Sequence, residues 1–312
     1  AETSVDGPAV IIEANATTVV EPGWRADVRP SGDLLLTRVV PRPDQVELGT
    51  DEADPVQLEI FNNLFMNVAE QMGVVLQNTA ESVNIKERLD FSCAIFDPTG
   101  DLIANAPHMP VHLGSMSETI KSVISQNSRP GDLQPSGMSP GDVFVLNAPY
   151  NGGTHLPDIT VVQPVFAGDG IIFYVASRGH HADIGGMAPG SLPLSTDLYQ
   201  EGIIIPPLKL VEAGVLNNAL LELICNNTRT PAERRGDFAA QIAAIRTGER
   251  RLVGLTERYG MPTLHEHMDA VLDYAEALTR AALRALPDGS DAFEDVMEGD
   301  GVTDDPLPIR CT

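Results

Sequence analysis

Several residue types are scarce in this chain of 312 residues, and each scarcity narrows what the protein can be. The three cysteines are widely spaced and form no CxxC pair, so no disulfide framework is indicated and a reducing, cytoplasmic compartment is expected. Aromatic residues are only 5% of the chain, so a core of mainly Val, Ile, Leu and Ala is expected. No apolar run reaches the length of a membrane span, and the start of the chain lacks the pattern of a signal peptide.

Basic residues are scarce as well. The chain has 20 Lys and Arg against 44 Asp and Glu, a formal net charge of −24 at pH 7. Such a charge disfavours nucleic acid and anionic membranes as partners, and no basic run offsets it. We attribute the acidity mainly to solubility, and a partner with a basic face stays open. The P-loop, dinucleotide-binding and nucleophile-elbow motifs are absent, so nothing indicates that this segment itself binds a nucleotide.

The hydrophobic fraction of 43% is enough for a sizeable core. Four short strand patterns with turn residues between them fill positions 8–38, and they read as the end of a preceding β-rich domain. We therefore predict a β-rich remnant over 1–40, a linker rich in proline and acid over 41–54, and a second domain over 55–312. The fold class is α/β in the mixed α+β sense, with a mixed-sheet second domain flanked by long helices.

The second domain opens with an amphipathic helix, with Asp54 as N-cap and Pro55 as the first helical residue. Strands are predicted within 90–106, where two form a hairpin, and over 142–149, 158–166 and 170–177, and a helix is predicted over 115–127. Helices follow over 216–227, 230–259 and 263–286, the second with a weak point at Gly236. The last residues read as a hairpin that stops in its second strand, so both ends are expected to be cut from a longer polypeptide.

Histidines cluster beside the predicted strands, and five of the seven fall between residues 108 and 181. His155 and Asp158 are three residues apart on a loop that enters a strand, and His180 follows the end of the next strand. Asp90 shares a strand face with Ser92. A single histidine at a strand end is usually an ordinary surface residue, so the clustering is what favours a site. Imidazoles and carboxylates in this combination suit Zn²⁺, Mn²⁺ or Fe²⁺.

Three further residues are candidates for acid–base work or for orienting a ligand. His181 and Asp183 lie next to His180 in the stretch ASRGHHADIGG, although Asp183 equally fits an ordinary turn carboxylate. His112 precedes the predicted helix start, where free N–H groups bind an anion such as a substrate carboxylate, or where a serine serves simply as the N-cap. Cys93 lies within a strand, which favours a buried thiol over a nucleophile.

Five blocks of sequence together resemble the hydantoinase B/oxoprolinase family, from about residue 54 to the end. They are ERLDFSCAIFDPTGDLIA, PVHLGSM, DVFVLNAPYNGGTHLPDITVVQPVF, RGHHADIGGMAPGS and TRTPAERRGDFAAQIAA. Residues 7–36 resemble the end of the hydantoinase A family, which supplies an ATP-binding half. An A-type tail that runs into a B-type start is similar to the fused 5-oxoprolinases.

The resemblance implies that the A-type half, in the same polypeptide or in a separate subunit, uses ATP and Mg²⁺ to phosphorylate the amide oxygen of a cyclic amide. The B-type half then hydrolyses the activated ring, as in the conversion of 5-oxo-L-proline to L-glutamate. It also implies a divalent metal held by Asp90, His155, Asp158 and His180. His112, His181 and Asp183 would be the catalytic groups. This chain alone is expected to be inactive toward ATP and to associate into an oligomer.

Two alternatives stay open. The related ATP-dependent ketone carboxylases use a similar B-type subunit whose metal ligands correspond to the same four positions, with glutamate at the position of Asp90 in the acetone enzyme. The GGTHLPD and RGHHADIGG forms found here favour the oxoprolinase and hydantoinase side. The second alternative is a noncatalytic scaffold that only docks the ATP-binding half. The sequence leaves the metal and the choice among 5-oxoproline, a hydantoin and a ketone open.

Overall fold

A computed structural model describes residues 4–13, 16–40, 55–132, 134–299 and 302–312. The chain divides into two compact units, Ala1–Ala53 and Asp54–Thr312. The predicted linker over 41–54, and with it the predicted N-cap Asp54, lies outside the described residues.

The first unit consists of short antiparallel strands. They are β1 (Ser4–Asp6), β2 (Ala9–Ile12), β3 (Thr17–Val20), β4 (Trp24–Val28) and β5 (Leu34–Arg38). Strands β1, β4 and β5 form one sheet, and β2 pairs with β3 as a hairpin. The four strands predicted over 8–38 are confirmed, and β1 is an addition to them.

The second unit is built on a seven-stranded sheet in the order β12-β11-β8-β9-β10-β6-β7. Its strands are β6 (Phe91–Phe96), β7 (Leu102–Asn105), β8 (Val143–Leu146), β9 (Asp158–Ala167), β10 (Gly170–His180), β11 (Leu208–Glu212) and β12 (Val215–Leu216). The mixed α+β class is confirmed, with the refinement that all pairings between these strands are antiparallel. The central strands β9 and β10 are buried along almost their whole length, because helices cover both faces.

Six helices belong to this unit in the described part of the chain. They are α1 (Pro55–Thr79), α2 (Val83–Lys86), α3 (Pro110–Gln126), α4 (Asn218–Asn226), α5 (Pro231–Tyr259) and α6 (Met261–Arg284). Helix α1 buries residues at a spacing of three and four, among them Phe61, Phe65 and Met72, which is the pattern that the sequence predicted. Helix α5 continues without a break through Gly236, where a Cβ would lie 2.4 Å from the Glu81 side chain.

The two faces of the sheet carry different helices. Helices α1 and α5 pack on the face that carries Cys93 and Val175, and α3 packs on the face that carries Ala94 and Ala176. Side chains alternate between the faces along each strand, so Asp90 and His180 belong to the α3 face with their even-numbered neighbours. Cys93 is a buried thiol as predicted, and burial raises its pKa.

Two boundaries differ from the sequence prediction, and both bear on the site. Helix α3 begins at Pro110 rather than at residue 115, because Met109 is extended and proline fits the first helical position. Strand β10 continues to His180 rather than ending at Ser177. As a result His112 lies in the first turn of a helix, and His180 is the last residue of a strand.

After α6 the chain ends in a hairpin of β13 (Phe293–Met297) and β14 (Leu307–Cys311). The buried residues of α6 are confined to its first half, where Leu264, Met268 and Val271 meet the core. Among the described residues, no helix combines the length and the apolar character that crossing a membrane requires.

Candidate functional site

Three strand ends meet at one edge of the seven-stranded sheet. His180 lies opposite Asp158 in the β9–β10 register, and the backbone N–H of His180 donates to the Asp90 carbonyl at 2.9 Å. Asp90 immediately precedes β6, which is the other neighbour of β10. Antiparallel pairing therefore brings together side chains that are far apart in the sequence.

The side chains of these residues are in direct contact. Nδ1 of His180 lies 2.7 Å from Oδ1 of Asp158 and 4.0 Å from Oδ2 of Asp90. Thr154 donates its hydroxyl to the other oxygen of Asp158 at 2.8 Å. The ring of His155 stacks on that of His180 with centroids 5.4 Å apart. All four residues expected to hold a metal thus lie together.

His112 completes the group from the α3 side. Its Nε2 lies 3.5 Å from Oδ1 of Asp158 and 3.8 Å from Oδ1 of Asp90, and its Nδ1 lies 3.2 Å from the Ser92 hydroxyl. Sequence reasoning singled out His112 as part of an anion site at a helix start, and the structure instead turns it toward two carboxylates. We call Asp90, His112, His155, Asp158 and His180 the strand-end cluster.

Exposure within the cluster shows the side from which a ligand can approach. The side chain of Asp90 is 27% exposed and that of His180 is 11%, whereas those of Asp158 and His112 are only 6% and 2% exposed. A small molecule therefore meets Asp90 and His180 first, and Asp158 and His112 form the floor.

The electrostatics of the cluster favour a charged Asp158. Burial alone would raise the pKa of Asp158, but hydrogen bonds from His112 and His180 outweigh it and hold that pKa well below its usual range. Burial lowers the pKa of His155, although the carboxylate of Asp158 works in the opposite direction. The cluster thus offers an ionised carboxylate beside an imidazole that is neutral at pH 7.

Arg178 lies beneath the cluster and was not identified from the sequence. It is fully buried on β10, two residues before His180 and on the same face. Its five N–H groups donate to Thr160 Oγ1, Ser115 Oγ, His112 O, Thr119 Oγ1 and Gly152 O. Burial lowers the pKa of Arg178 to about 10, so the side chain stays charged. Alternation along β10 is the signal that could have revealed it.

His181 and Asp183 are not brought to the cluster. His181 is the residue after His180, so it points to the opposite face, where its ring packs on Phe238. Burial, reinforced by the charge of Arg234, lowers the pKa of His181 to about 4. Asp183 accepts hydrogen bonds from the side chain and backbone N–H of Arg229, and thereby holds the loop after β10.

The donor chemistry of the cluster suits a divalent cation, because carboxylate oxygens and imidazole nitrogens are ligands that Zn²⁺, Mn²⁺ and Fe²⁺ accept. His112 adds a geometric reason. Its Nε2 faces oxygens of Asp90 and Asp158, so either a proton or a cation must lie between them. In the described part of the chain, however, no three His, Cys, Asp or Glu side chains are arranged ready to hold an ion. The hydrogen bond between His180 and Asp158 engages Nδ1 and Oδ1, two atoms that would otherwise be free to coordinate a metal.

Comparison with known proteins places the chain in a family. The sequence model of the family described as Hydantoinase B/oxoprolinase matches residues 54–312. The chain is 44% identical over 293 residues to 5-oxoprolinase 1 of Arabidopsis thaliana, and the match covers 90% of this chain and 22% of that protein. The chain therefore spans about a fifth of the length of this relative.

Two solved structures share the fold. The ATP-dependent caprolactamase from Pseudomonas jessenii matches with a TM-score of 0.70 and 31% identity over 79% of this chain and 41% of its own. A nucleotide-free acetone carboxylase also matches with a TM-score of 0.70, over 81% of this chain and 32% of its own, but at 19% identity it shows the fold alone. The family match covers most of the sequence, as the quoted motifs predicted, and this chain belongs to the hydantoinase B/oxoprolinase family.

Proposed function

We propose that this chain is the B-type portion of an ATP-dependent cyclic amide hydrolase of the 5-oxoprolinase kind, and that the strand-end cluster is its hydrolytic site. The convergence of Asp90, His112, Asp158 and His180 at one sheet edge is the observation that carries the proposal. The names of the oxoprolinase and caprolactamase relatives support a lactam as substrate.

The chemistry requires two halves. A lactam carbonyl is a poor electrophile, and phosphorylation of its oxygen provides a good leaving group. We assign that step to an A-type ATP-binding half, of which residues 1–40 form the end. A first water attacks the activated carbon at the cluster, and the ring opens as the C–N bond breaks and the ring nitrogen takes up a proton. A second water then hydrolyses the resulting acyl phosphate to the free carboxylate and phosphate. The conversion of 5-oxo-L-proline to L-glutamate is the reaction of this type that we propose.

Four residues of the cluster have distinct parts in that step. Ser92 donates its hydroxyl to the Met109 carbonyl at 3.2 Å and accepts from Nδ1 of His112. Nε2 of His112, whose proton is shared with Asp158, is therefore the atom that donates a proton to the leaving ring nitrogen. Asp158 is ionised and fixes the ring of His180. Asp90 lies at the exposed side, where it orients the incoming water.

Asp90, His155, Asp158 and His180 are the residues that would hold a divalent ion. When bound, such an ion supplies a water molecule of lowered pKa or polarises the activated carbonyl. Elemental analysis of the purified protein tests this part. We expect close to one equivalent of a divalent metal, and its loss in His180→Ala. A metal-free protein that is fully active would refute the metal but leave the acid–base assignment in place.

The activity test combines the chain with its ATP-binding half and offers 5-oxoproline, a hydantoin or acetophenone, with and without bicarbonate. Asp158→Asn is expected to lower kcat by about 100-fold or more. Asp169→Asn makes the same change in the exposed β9–β10 turn and should leave kcat unaltered. Bicarbonate-dependent loss of acetophenone would indicate a ketone carboxylase instead. Equal activity in all variants would indicate a scaffold.

A further inference from the structure

We infer that Gln241, on the opposite side of the sheet, is a positioning residue for the strand-end cluster. Its effect on activity rests on the proposed function, whereas its effect on the geometry of the cluster does not. Gln241 belongs to α5 and is fully buried, and its hydrogen bonds in the described part of the chain go to groups outside the cluster side chains.

One amide holds three backbone or side-chain groups at the strand ends. Nε2 of Gln241 donates to the Ile159 carbonyl at 2.9 Å and to the Ser177 carbonyl at 3.2 Å. Its Oε1 lies 3.0 Å from Nε2 of His181. Ile159 follows Asp158 in the chain and His181 follows His180, so the amide fixes the residue next to each partner of the central hydrogen bond.

These hydrogen bonds also determine the orientation of the Gln241 amide and the tautomer of the His181 ring. Two carbonyl acceptors require both N–H groups of the amide, which leaves Oε1 toward His181 as an acceptor. His181 must therefore carry its proton on Nε2. Its Nδ1 then holds a lone pair, in agreement with the finding that this buried atom has no hydrogen-bond partner among the described residues.

Gly179 provides the space through which the amide reaches the strands. A Cβ at Gly179 would lie 3.4 Å from Nε2 of Gln241 and 2.9 Å from Cδ1 of Ile85. Any side chain there would push on α2 and on the amide. Gly179 faces α5 because side chains alternate along β10, whereas its neighbours Arg178 and His180 point to the α3 face. Close packing on the α5 face thus explains why this position is a glycine.

Loss of the amide removes one hydrogen bond from each of two buried carbonyls and leaves Nε2 of the buried His181 ring without its partner. Asp158 and His180 lie at the ends of β9 and β10, where the amide reinforces the backbone hydrogen bond from His181 N–H to the Pro157 carbonyl at 2.8 Å. We expect the ring of His180 to lose its fixed orientation toward Asp158. Changes to groups that orient active-site ligands typically reduce activity by about 10- to 100-fold.

The test compares Gln241→Met with the control Gln163→Met. Gln163 is likewise a buried glutamine, but it lies on strand β9, so its replacement reports the general effect of removing a buried amide. Ring nitrogens of ¹⁵N-labelled histidines are observed by NMR, and kcat and KM are measured with the ATP-binding half present. In Gln241→Met we expect changed ring signals for both His180 and His181, and kcat reduced by about 10-fold or more with KM little changed. Gln163→Met should leave the signals and kcat as in the wild type.

Wild-type His180 and His181 ring signals in a folded Gln241→Met protein would overturn the inference. If that variant does not fold, Gln241→Asn, which keeps the amide but is one methylene shorter, is measured in the same way. The wild type provides an independent check, since a proton found on Nδ1 of His181 would also overturn it. Changed ring signals in a protein inactive toward every cyclic amide would refute the proposed function alone.

Discussion

At the scale of single residues, Arg178 is a fully buried cation whose N–H groups all donate to uncharged oxygens. Arg178→Lys offers at most three N–H groups, so at least two of the five acceptors lose their partner. We expect the free energy of unfolding to fall by about 2–4 kcal/mol, measured by urea denaturation followed by circular dichroism. Arg280→Lys, at an exposed ion pair on α6, should change it by less than about 0.5 kcal/mol. Equal changes in the unfolding free energy for the two variants would show that the buried hydrogen bonds of Arg178 do not stabilise the fold.

His108 makes stability depend on pH. Burial, reinforced by the charge of His112, lowers the pKa of His108 to about 4, and its Nδ1 accepts the backbone N–H of Cys93 at 3.1 Å. The unfolded chain takes up this proton near pH 6.5, so between pH 6.5 and 4 the unfolded state binds more protons and stability falls as the pH falls. His108→Asn keeps an acceptor without a titration, and should flatten the dependence of the unfolding free energy on pH in this range. The exposed His265→Asn is the control, and parallel curves for His108→Asn and wild type would contradict the prediction.

Sequence reasoning located the cluster because its residues have recognisable local signals. The H-x-x-D spacing identified His155 and Asp158, and the end of a strand identified His180. Arg178 and Gln241 carry no such local signal, since their partners are distant in sequence: backbone oxygens and hydroxyls for Arg178, and backbone oxygens and the His181 ring for Gln241. His181 shows the opposite error, because adjacency to His180 suggested a shared site, whereas alternation along β10 turns it to the other face.

At the scale of elements, the loop between β8 and β9 is held against α3 through Gly152. This glycine has φ of +86°, and a Cβ there would lie 2.3 Å from the Thr119 backbone nitrogen. Gly152→Ala is expected to destabilise the fold by at least about 3 kcal/mol, from left-handed strain together with steric overlap. Gly190→Ala, at φ of +89° with open space around it, should cost only about 1 kcal/mol. Thermal unfolding of both variants tests the difference. Similar losses of stability would mean that the contact between Gly152 and the Thr119 backbone does not determine the cost.

Periodic elements were predictable and irregular boundaries were not. The apolar repeat of α1 and the alternation in the first unit gave the correct element types, whereas the start of α3 was misplaced. The reason is that Pro110 can begin a helix but equally can end a loop, and only packing on the sheet decides between them. Strands β11 and β12 were missed because such short strands depend on a neighbour for their pairing.

At the scale of the whole molecule, the order of strands in the sheet could not be read from the sequence. Strand β6 lies beside β10, although β7, β8 and β9 intervene in the chain. This non-local pairing is what joins Asp90 to the β9–β10 hairpin. Composition predicted a sizeable core and the local patterns predicted a mixed fold, but only the assembled sheet explains why the cluster forms.

The second half of α6 and the terminal hairpin extend beyond the core of their unit. Residues of β13 and β14 are exposed throughout, as is α6 from Asp273 onward, whereas every residue of the cluster lies between Asp90 and His180. Limited trypsin digestion is therefore expected to cleave at Arg280 or Arg284 early, and mass spectrometry should identify a shortened fragment that persists. That fragment should retain the histidine ring signals of the intact chain, which would show that the strand-end cluster folds independently of this appendage. Early cleavage within β9 or β10 would contradict this division.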